Sequence, residues 1–552
     1  MEFILFYKIF FSKKIIIKYA VNPFNIVEKE PNIWLAIKII FIINYFFISI
    51  FIIYFIENKY KKNSKKINNL IIKNSQEIIM ENNLKITIGY NDYGEKISVP
   101  EKGLYQNFLI TGTIGSGKTS SAMYPITQQL IEYNCGNNSK KIGMLVLDVK
   151  GNYYKKVQEY AKKYNRLNDI VVIELGGKYK YNPLDKPNVK ASVLANRLKI
   201  ILELFSGNTS ESYWIDKSEE IICECIKLCR LYNDNYVSFE ELHKLITNKK
   251  YYEEKIKIIK NYFKNNKYNQ EQCYDLLSSI NFFEKEFYSL DARSIAILKS
   301  QITRITNCFN SDYQVMKTFN PQKNESNFSG LKDIIKDGKI VILNMNIAEY
   351  KNLSKIIATY LKLDFQSEVM ARLSDESDNG RIVAFISDEY HEYITETDAD
   401  FYGQSREAKC INIVATQSYK SMLKTLNNET ALSVVLQNLI NKIWFRTDDI
   451  FTIEEAQKQI GKEEKEKITT SISENAKETK YSYITKSFKS KDSNISESIN
   501  SSYEKDFIYD TKFFTQELET FTALAFLSDG SKALKPQKIK LIPWFMKESD
   551  VK

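Results

Sequence analysis

"QNFLITGTIGSGKTSSAMYPI", residues 106–126, decides how this chain is read. A short apolar run, "NFLIT", enters a loop where Gly112, Gly115 and Gly117 alternate with small residues. Lys118 and Thr119 close the loop ahead of a stretch with helical character. "GTIGSGKT", residues 112–119, fits G-x-x-x-x-G-K-[ST] in full. Strand, glycine loop and helix, in that order, is the context this motif requires. Glycines let successive backbone N–H groups turn inward onto phosphate oxygens, and the helix start adds its dipole. Lys118 would neutralise the terminal phosphates and Thr119 would offer its hydroxyl to Mg²⁺. The expected cradle is Gly112, Thr113, Ile114, Gly115, Ser116, Gly117, Lys118, Thr119 and Ser120, and the expected ligands are ATP and Mg²⁺.

A second stretch, "VAFISDEYHEY" (383–393), ends a buried-strand pattern on two adjacent carboxylates, Asp388 and Glu389. Like charges that close repel, and partial burial adds a desolvation cost, so the pair needs a positive partner. Mg²⁺ with the phosphates beyond it fits, with Asp388 holding the metal and Glu389 acting as general base on the attacking water. Two further strand patterns end on polar tips. "GMLVLDVKGNYYKK" (143–156) reaches Asp148 and Lys150, and "INIVATQS" (411–418) reaches Gln417. Residues at the carboxyl ends of parallel strands face the ligand crevice, so Gln417 is expected near the γ-phosphate or its water. Strands alternating with helices imply a parallel, right-handed α/β sheet of the RecA-like P-loop type. No N-K-x-D guanine signature and no protein-kinase landmarks accompany the loop.

The chain has 552 residues, 78 basic against 68 acidic, for a formal charge of +10. That length exceeds one ordinary domain, and a 26% charged, 43% hydrophobic composition is globular. The charge permits nucleic-acid or anionic-membrane partners without singling one out. Seven Cys without a CxxC pair, and only two His, argue against zinc. "IWLAIKIIFIINYFFISIFIIYFI" (33–56) is apolar all round and long enough to span a bilayer. The Lys-rich run at 59–66 puts everything after it on the cytoplasmic side. Residues 3–21, interrupted by lysines, read as a second span or an interfacial helix, so 1–70 is expected to be a membrane anchor. The core is expected in two parts, 80–185 and 326–466, around an all-α insertion at 186–325. Residues 467–506, rich in Ser and Lys, read as a mobile loop or linker, and 507–552 as closing strands with "DG" at a turn. "KGNYYKK" (150–156), basic and aromatic, reads as a strand-contacting loop or as plain surface.

Taken in order, the anchor, "GTIGSGKT", "LVLDVKGNYYKK", "YNPLD" (181–185), "SYWIDKSEEII" (212–222), "ISDEYHEY", "SREAKCINIVATQS" and "WFRTDDIFTIEEAQKQIGK" resemble the membrane-anchored coupling ATPases of type IV secretion and conjugation, across nearly the whole chain. The phosphate loop alone is generic; the run from "ISDEY" through "SREAKC" to "ATQS" beside an anchor is more specific. The resemblance implies a homohexamer in the plasma membrane of a bacterium, most of the chain being cytoplasmic, with active sites between subunits. It implies single-stranded DNA, a relaxase–DNA complex and type IV secretion channel proteins as partners. It also implies that Arg406, in "GQSREAKC", reaches the γ-phosphate of the neighbouring subunit, joining Lys118, Glu389 and Gln417 as catalytic residues. A channel- or pilus-assembly ATPase, and a nucleotide-gated membrane receptor, remain alternatives.

Overall fold

The structure is a computed structural model that describes residues 84–546 apart from 149, 206–211, 266, 311, 346, 376–379, 475–478, 484–485 and 491–494, together with scattered positions between 32 and 50. The expected membrane segments 3–21 and 33–56 lie outside the described residues, save for isolated helical positions such as 45–50. Among the described residues no helix is long and apolar enough to cross a membrane. Residues 84–552 form a unit of their own.

The strands are β1 (Lys85–Tyr90), β2 (Lys96–Pro100), β3 (Phe108–Thr111), β4 (Gly143–Asp148), β5 (Ile170–Ile173), β6 (Ile340–Asn344), β7 (Val383–Ser387), β8 (Cys410–Thr416), β9 (Asn441–Phe445), β10 (Lys462–Glu474), β11 (Thr479–Ser482), β12 (Ser487–Ser490), β13 (Ile495–Phe507), β14 (Thr522–Phe526) and β15 (Gln537–Lys540). Eleven of them make one sheet in the order β2-β1-β15-β14-β9-β3-β8-β7-β4-β6-β5. From β9 to β5 every pairing is parallel, and the β14, β15, β1 and β2 flank is antiparallel. The parallel strands are buried on both faces, so they read as unbroken apolar runs such as "MLVL" and "INIVA" rather than as alternation. Alternate residues still serve opposite layers. Leu145 and Leu147 join one apolar cluster, while Met144 and Val146 join the other.

Between β5 and β6 the chain is helical, from Ala191–Phe205 to Tyr313–Phe319. Leu198 and Ile222 from these helices share a single apolar cluster with Leu145 and Phe385 of the sheet. A buried charge cluster ties the same region down. Asp364, on the helix Asn352–Ala371, accepts from Arg197 at 2.7 Å and from the Tyr181 hydroxyl at 2.9 Å, and lies 3.0 Å from Lys186.

Residues 467–506 differ from the expected loop. β10 and β13 pair over 13 residues each as a long antiparallel ribbon. The register sets Ile468 opposite Ser501 and Thr470 opposite Ile499. Ile468 and Ile472 of β10, at even positions, and Ile495, Ile499 and Tyr503 of β13, at odd positions, therefore fall on one face of the ribbon, and the positions of the other face are polar. A low apolar count hid this period-two pattern. β14 and β15 pair antiparallel, with Gly530 in the left-handed region at φ 94° inside their connection.

Strand order positions the site. β8 lies between β3 and β7, so the tip of β8 stands between the phosphate loop and the carboxylate pair. Because β3, β8, β7 and β4 are parallel, Gly112, Gln417, Asp388 and Lys150 all emerge at one edge. Arg406 precedes β8, at the opposite edge.

Candidate active site

The loop after β3 turns back through Gly115 (φ 79°) and Gly117 (φ 104°), conformations that side chains resist. A Cβ on Gly117 would stand 2.6 Å from the Phe521 ring, so only glycine fits there. Thr113 N–H donates to the Arg446 carbonyl at 2.8 Å, fixing the loop to the end of β9. The π-helical turn Lys118–Met123 then runs into the α-helix Tyr124–Glu132.

Lys118 is buried, and its ammonium donates to the Gly112 carbonyl at 2.5 Å and the Thr113 carbonyl at 3.1 Å. Burial pushes its pKa down, while Glu389 and Asp388 pull the other way. The Thr119 hydroxyl donates to Asp388 Oδ2 at 3.0 Å, across 269 residues of sequence. Hydroxyl and carboxylate oxygens side by side are the hard donors Mg²⁺ takes, with water and phosphate supplying its remaining ligands. Among the described residues there is no cluster of three acidic, His or Cys side chains that would form an all-protein metal cage. Thr119 and Asp388 bring two such oxygens together at one point.

Glu389 sits at φ 50°, in the left-handed region, a strained setting of the kind found at functional sites. Its Oε1 lies 2.5 Å from Lys150 Nζ, and its Oε2 accepts from Gln417 Nε2 at 3.2 Å. The Lys150 ammonium is also 3.8 Å from Asp388. Burial acts to raise the Glu389 carboxyl, but Lys150, helped by His391 and Lys118, holds it below its ordinary value. Burial dominates for Asp388 and keeps its carboxyl raised, Lys150 offsetting part and the Glu389 charge adding to the rise. The positive partner that two adjacent carboxylates required is therefore present in the protein as Lys150, backed by Lys118.

The structure brings together Lys118, Thr119, Asp388, Glu389 and Gln417, and leaves Arg406 apart. Arg406 is exposed in the turn before β8. The seven residues of β8 separate that turn from Gln417, about 20 Å at a rise of about 3.3 Å per residue. Asp148 does not face the crevice as its strand-end position implied. Its carboxylate accepts from the N–H groups of Lys150, Gly151 and Tyr153 and so shapes the turn that presents Lys150. "KGNYYKK" is mostly engaged: Tyr153 is buried against Thr127, Lys156 stacks 3.2 Å from the Trp544 ring centre, and Lys150 holds Glu389. Sequence reasoning missed Lys150 as the carboxylate partner, and missed His391, whose Nδ1 lies 3.6 Å from Glu389 and 3.2 Å from the Thr416 hydroxyl. One of only two His in the chain, two residues past Glu389, was a signal for the latter.

Replacing Lys150 by Met is expected to lower kcat for ATP about ten-fold and to leave KM within a few-fold, since one charge contact of order 1.4 kcal/mol is removed while the phosphate cradle stays. Steady-state phosphate release measures both, and an unchanged kcat would show that Lys150 does not position Glu389.

The sheet order, with the glycine loop after β3 and the carboxylates after the neighbouring β7, fits a RecA-like α/β core. Among solved structures the chain is similar to the bacterial conjugative coupling protein TrwB lacking 70 N-terminal residues, unbound, with a TM-score of 0.56 and 12% identity over 83% of this chain and 88% of that one. TrwB in complex with ADP and Mg²⁺ gives 0.55 and 11% identity, over 84% and 91%. TrwB with the non-hydrolysable GTP analogue GDPNP gives 0.53 and 12%, over 80% and 87%. VirB4 of Thermoanaerobacter pseudethanolicus matches less closely, at 0.47. No protein-family model matches the chain, and no curated protein sequence does.

Proposed function

We propose that this protein is an ATP-driven coupling protein that moves single-stranded DNA, with an attached relaxase, toward a type IV secretion channel. The observation that carries the reading is the Thr119–Asp388 contact at 3.0 Å, with Glu389 and Gln417 joined beside it, on a fold shared with TrwB over most of both chains. In this reading Lys118 and the loop N–H groups bind the phosphates of ATP. Thr119 and Asp388 would hold Mg²⁺, which when bound screens the phosphate charge. Glu389, kept ionised by Lys150, takes a proton from the attacking water, and Gln417 Nε2 orients the carboxylate. The apolar segment 33–56 anchors the chain in a bacterial plasma membrane with the catalytic region in the cytoplasm. Subunits assemble as a hexamer, each site completed by its neighbour.

The test is ATP hydrolysis by the full-length chain in detergent, with and without single-stranded DNA. The expected result is Lys118-dependent hydrolysis that single-stranded DNA stimulates several-fold. Hydrolysis indifferent to DNA would favour the channel-assembly ATPase, and nucleotide binding without hydrolysis would favour the receptor.

A further inference from the structure

The strand order gives the phosphate loop two unlike sides. Toward β8, β7 and β4 stand Gln417, Glu389, Asp388 and Lys150. Toward β9, β14 and β15 stand aromatic side chains. Phe521 N–H donates to the Ser116 carbonyl at 3.2 Å, and its ring is the one that excludes a side chain at Gly117. Phe521 takes φ 65°, which a bulky residue adopts only where its surroundings impose it. Trp544 N–H donates to the Ser120 carbonyl at 3.0 Å. Phe545 meets the Phe521 ring edge to face at 5.9 Å and the Trp544 ring at 5.6 Å. Trp544 and Phe545 are 44% and 55% exposed. Trp544 and Met546 also line a cavity of about 310 Å³ beside Ser121, Pro125, Gln128 and Gln129, at the low end of the roughly 300–1,000 Å³ of small-ligand sites.

From this we propose that Phe521, Trp544 and Phe545 form the wall on which the nucleobase stacks. The inference rests on the nucleotide reading above and gives that site its second half. A triphosphate whose terminal phosphate lies at Lys118 and the carboxylates runs its nucleoside away from them, past Gly117 and Ser120. The three rings border that side. Polar groups here are already engaged: the Ser120 and Ser121 hydroxyls donate to the Gly117 carbonyl, and the Gln129 amide holds both backbone groups of Thr87. Lys156 covers one face of Trp544, 3.2 Å from the ring centre, so stacking is offered by Phe545 and by the part of the Trp544 ring that stays exposed, and an exposed ring has much to gain from a flat aromatic partner.

Calorimetric titration of the full-length chain in detergent with ATP and with inorganic tripolyphosphate tests this. Stacking on an aromatic side chain is worth about ten-fold in affinity or more. Phe545→Ala, at an exposed ring, is expected to weaken ATP about ten-fold and leave tripolyphosphate unchanged. ATP, but not tripolyphosphate, is expected to change the tryptophan fluorescence, and Trp544→Phe to abolish that change. Equal weakening of both ligands would show that the wall only braces the loop and would overturn the proposal. So would ATP affinity unaltered by Phe545→Ala with the fluorescence blind to ATP, while Lys118→Ala still abolished binding and left the nucleotide reading standing. A wild-type chain that bound neither ligand would sink the nucleotide reading, and this proposal with it.

Discussion

Glu389→Gln binds ATP with near wild-type affinity and hydrolyses it about 10²- to 10⁴-fold more slowly, the span typical for loss of a general base. The amide keeps the size of the carboxylate and its place beside Gln417 Nε2, 3.2 Å away, so the site keeps its shape. It has no proton affinity with which to draw on water. It also lacks the charge that Lys150 meets at 2.5 Å, so the lysine turns wholly to Asp388, now 3.8 Å from it. Phosphate binding rests on Lys118 and the loop, which Glu389 does not touch. The expected signature is a collapse of kcat with little change in ATP affinity, and a subunit that stays loaded. Quenched single-turnover measurements with radiolabelled ATP read the chemical step directly. A rate within a few-fold of wild type would remove Glu389 as the base and leave Lys150 and Gln417 bound to a structural carboxylate.

The parts legible in the sequence were those where local pattern and tertiary role coincide. The glycine loop must be glycine-rich wherever it occurs, because its backbone approaches phosphate and, at Gly117, the Phe521 ring. Parallel strands buried on both faces carry their own apolar runs, so β4, β7 and β8 and their polar tips could be read directly. What escaped depended on partners far along the chain. Lys150 looked like a basic loop residue because Glu389, which it holds, is 239 positions away by subtraction of their numbers. Trp544 and Phe545 looked like the end of a closing hairpin, and only the placement of β14 and β15 beyond β9 brings them beside Ser120. The β10–β13 ribbon failed for a different reason. Ile468 and Ile472 in β10, and Ile495 and Ile499 in β13, each recur four residues apart among polar neighbours, too sparsely to raise the apolar fraction.

Arg406→Ala lowers ATP hydrolysis about 10³- to 10⁵-fold if it serves as an arginine finger of the usual strength, and the loss is repaired by a partner subunit of a different genotype. Its own chain offers Arg406 no phosphate. It stands before β8, and the phosphate loop, Asp388, Glu389 and Gln417 all lie past the far ends of the parallel strands. It is exposed, and among the described residues no ion pair holds its guanidinium. A chain with 78 basic residues uses lysine almost throughout, so a guanidinium fork here is an exception to its habit. The fork matches charge spread over equatorial phosphate oxygens where an ammonium point charge does so less well. Arg406→Lys should therefore recover only part of the rate. The decisive measurement mixes two inactive variants. Arg406→Ala subunits retain their own Lys118, and Lys118→Ala subunits retain their own Arg406. In a mixed ring some interfaces join an intact phosphate loop to an intact arginine, and hydrolysis should return in proportion to that fraction. Two variants that remain inactive at every ratio, with co-assembly established by cross-linking, would remove the trans assignment. Full activity of Arg406→Ala alone would return Arg406 to the role of a solvated turn residue.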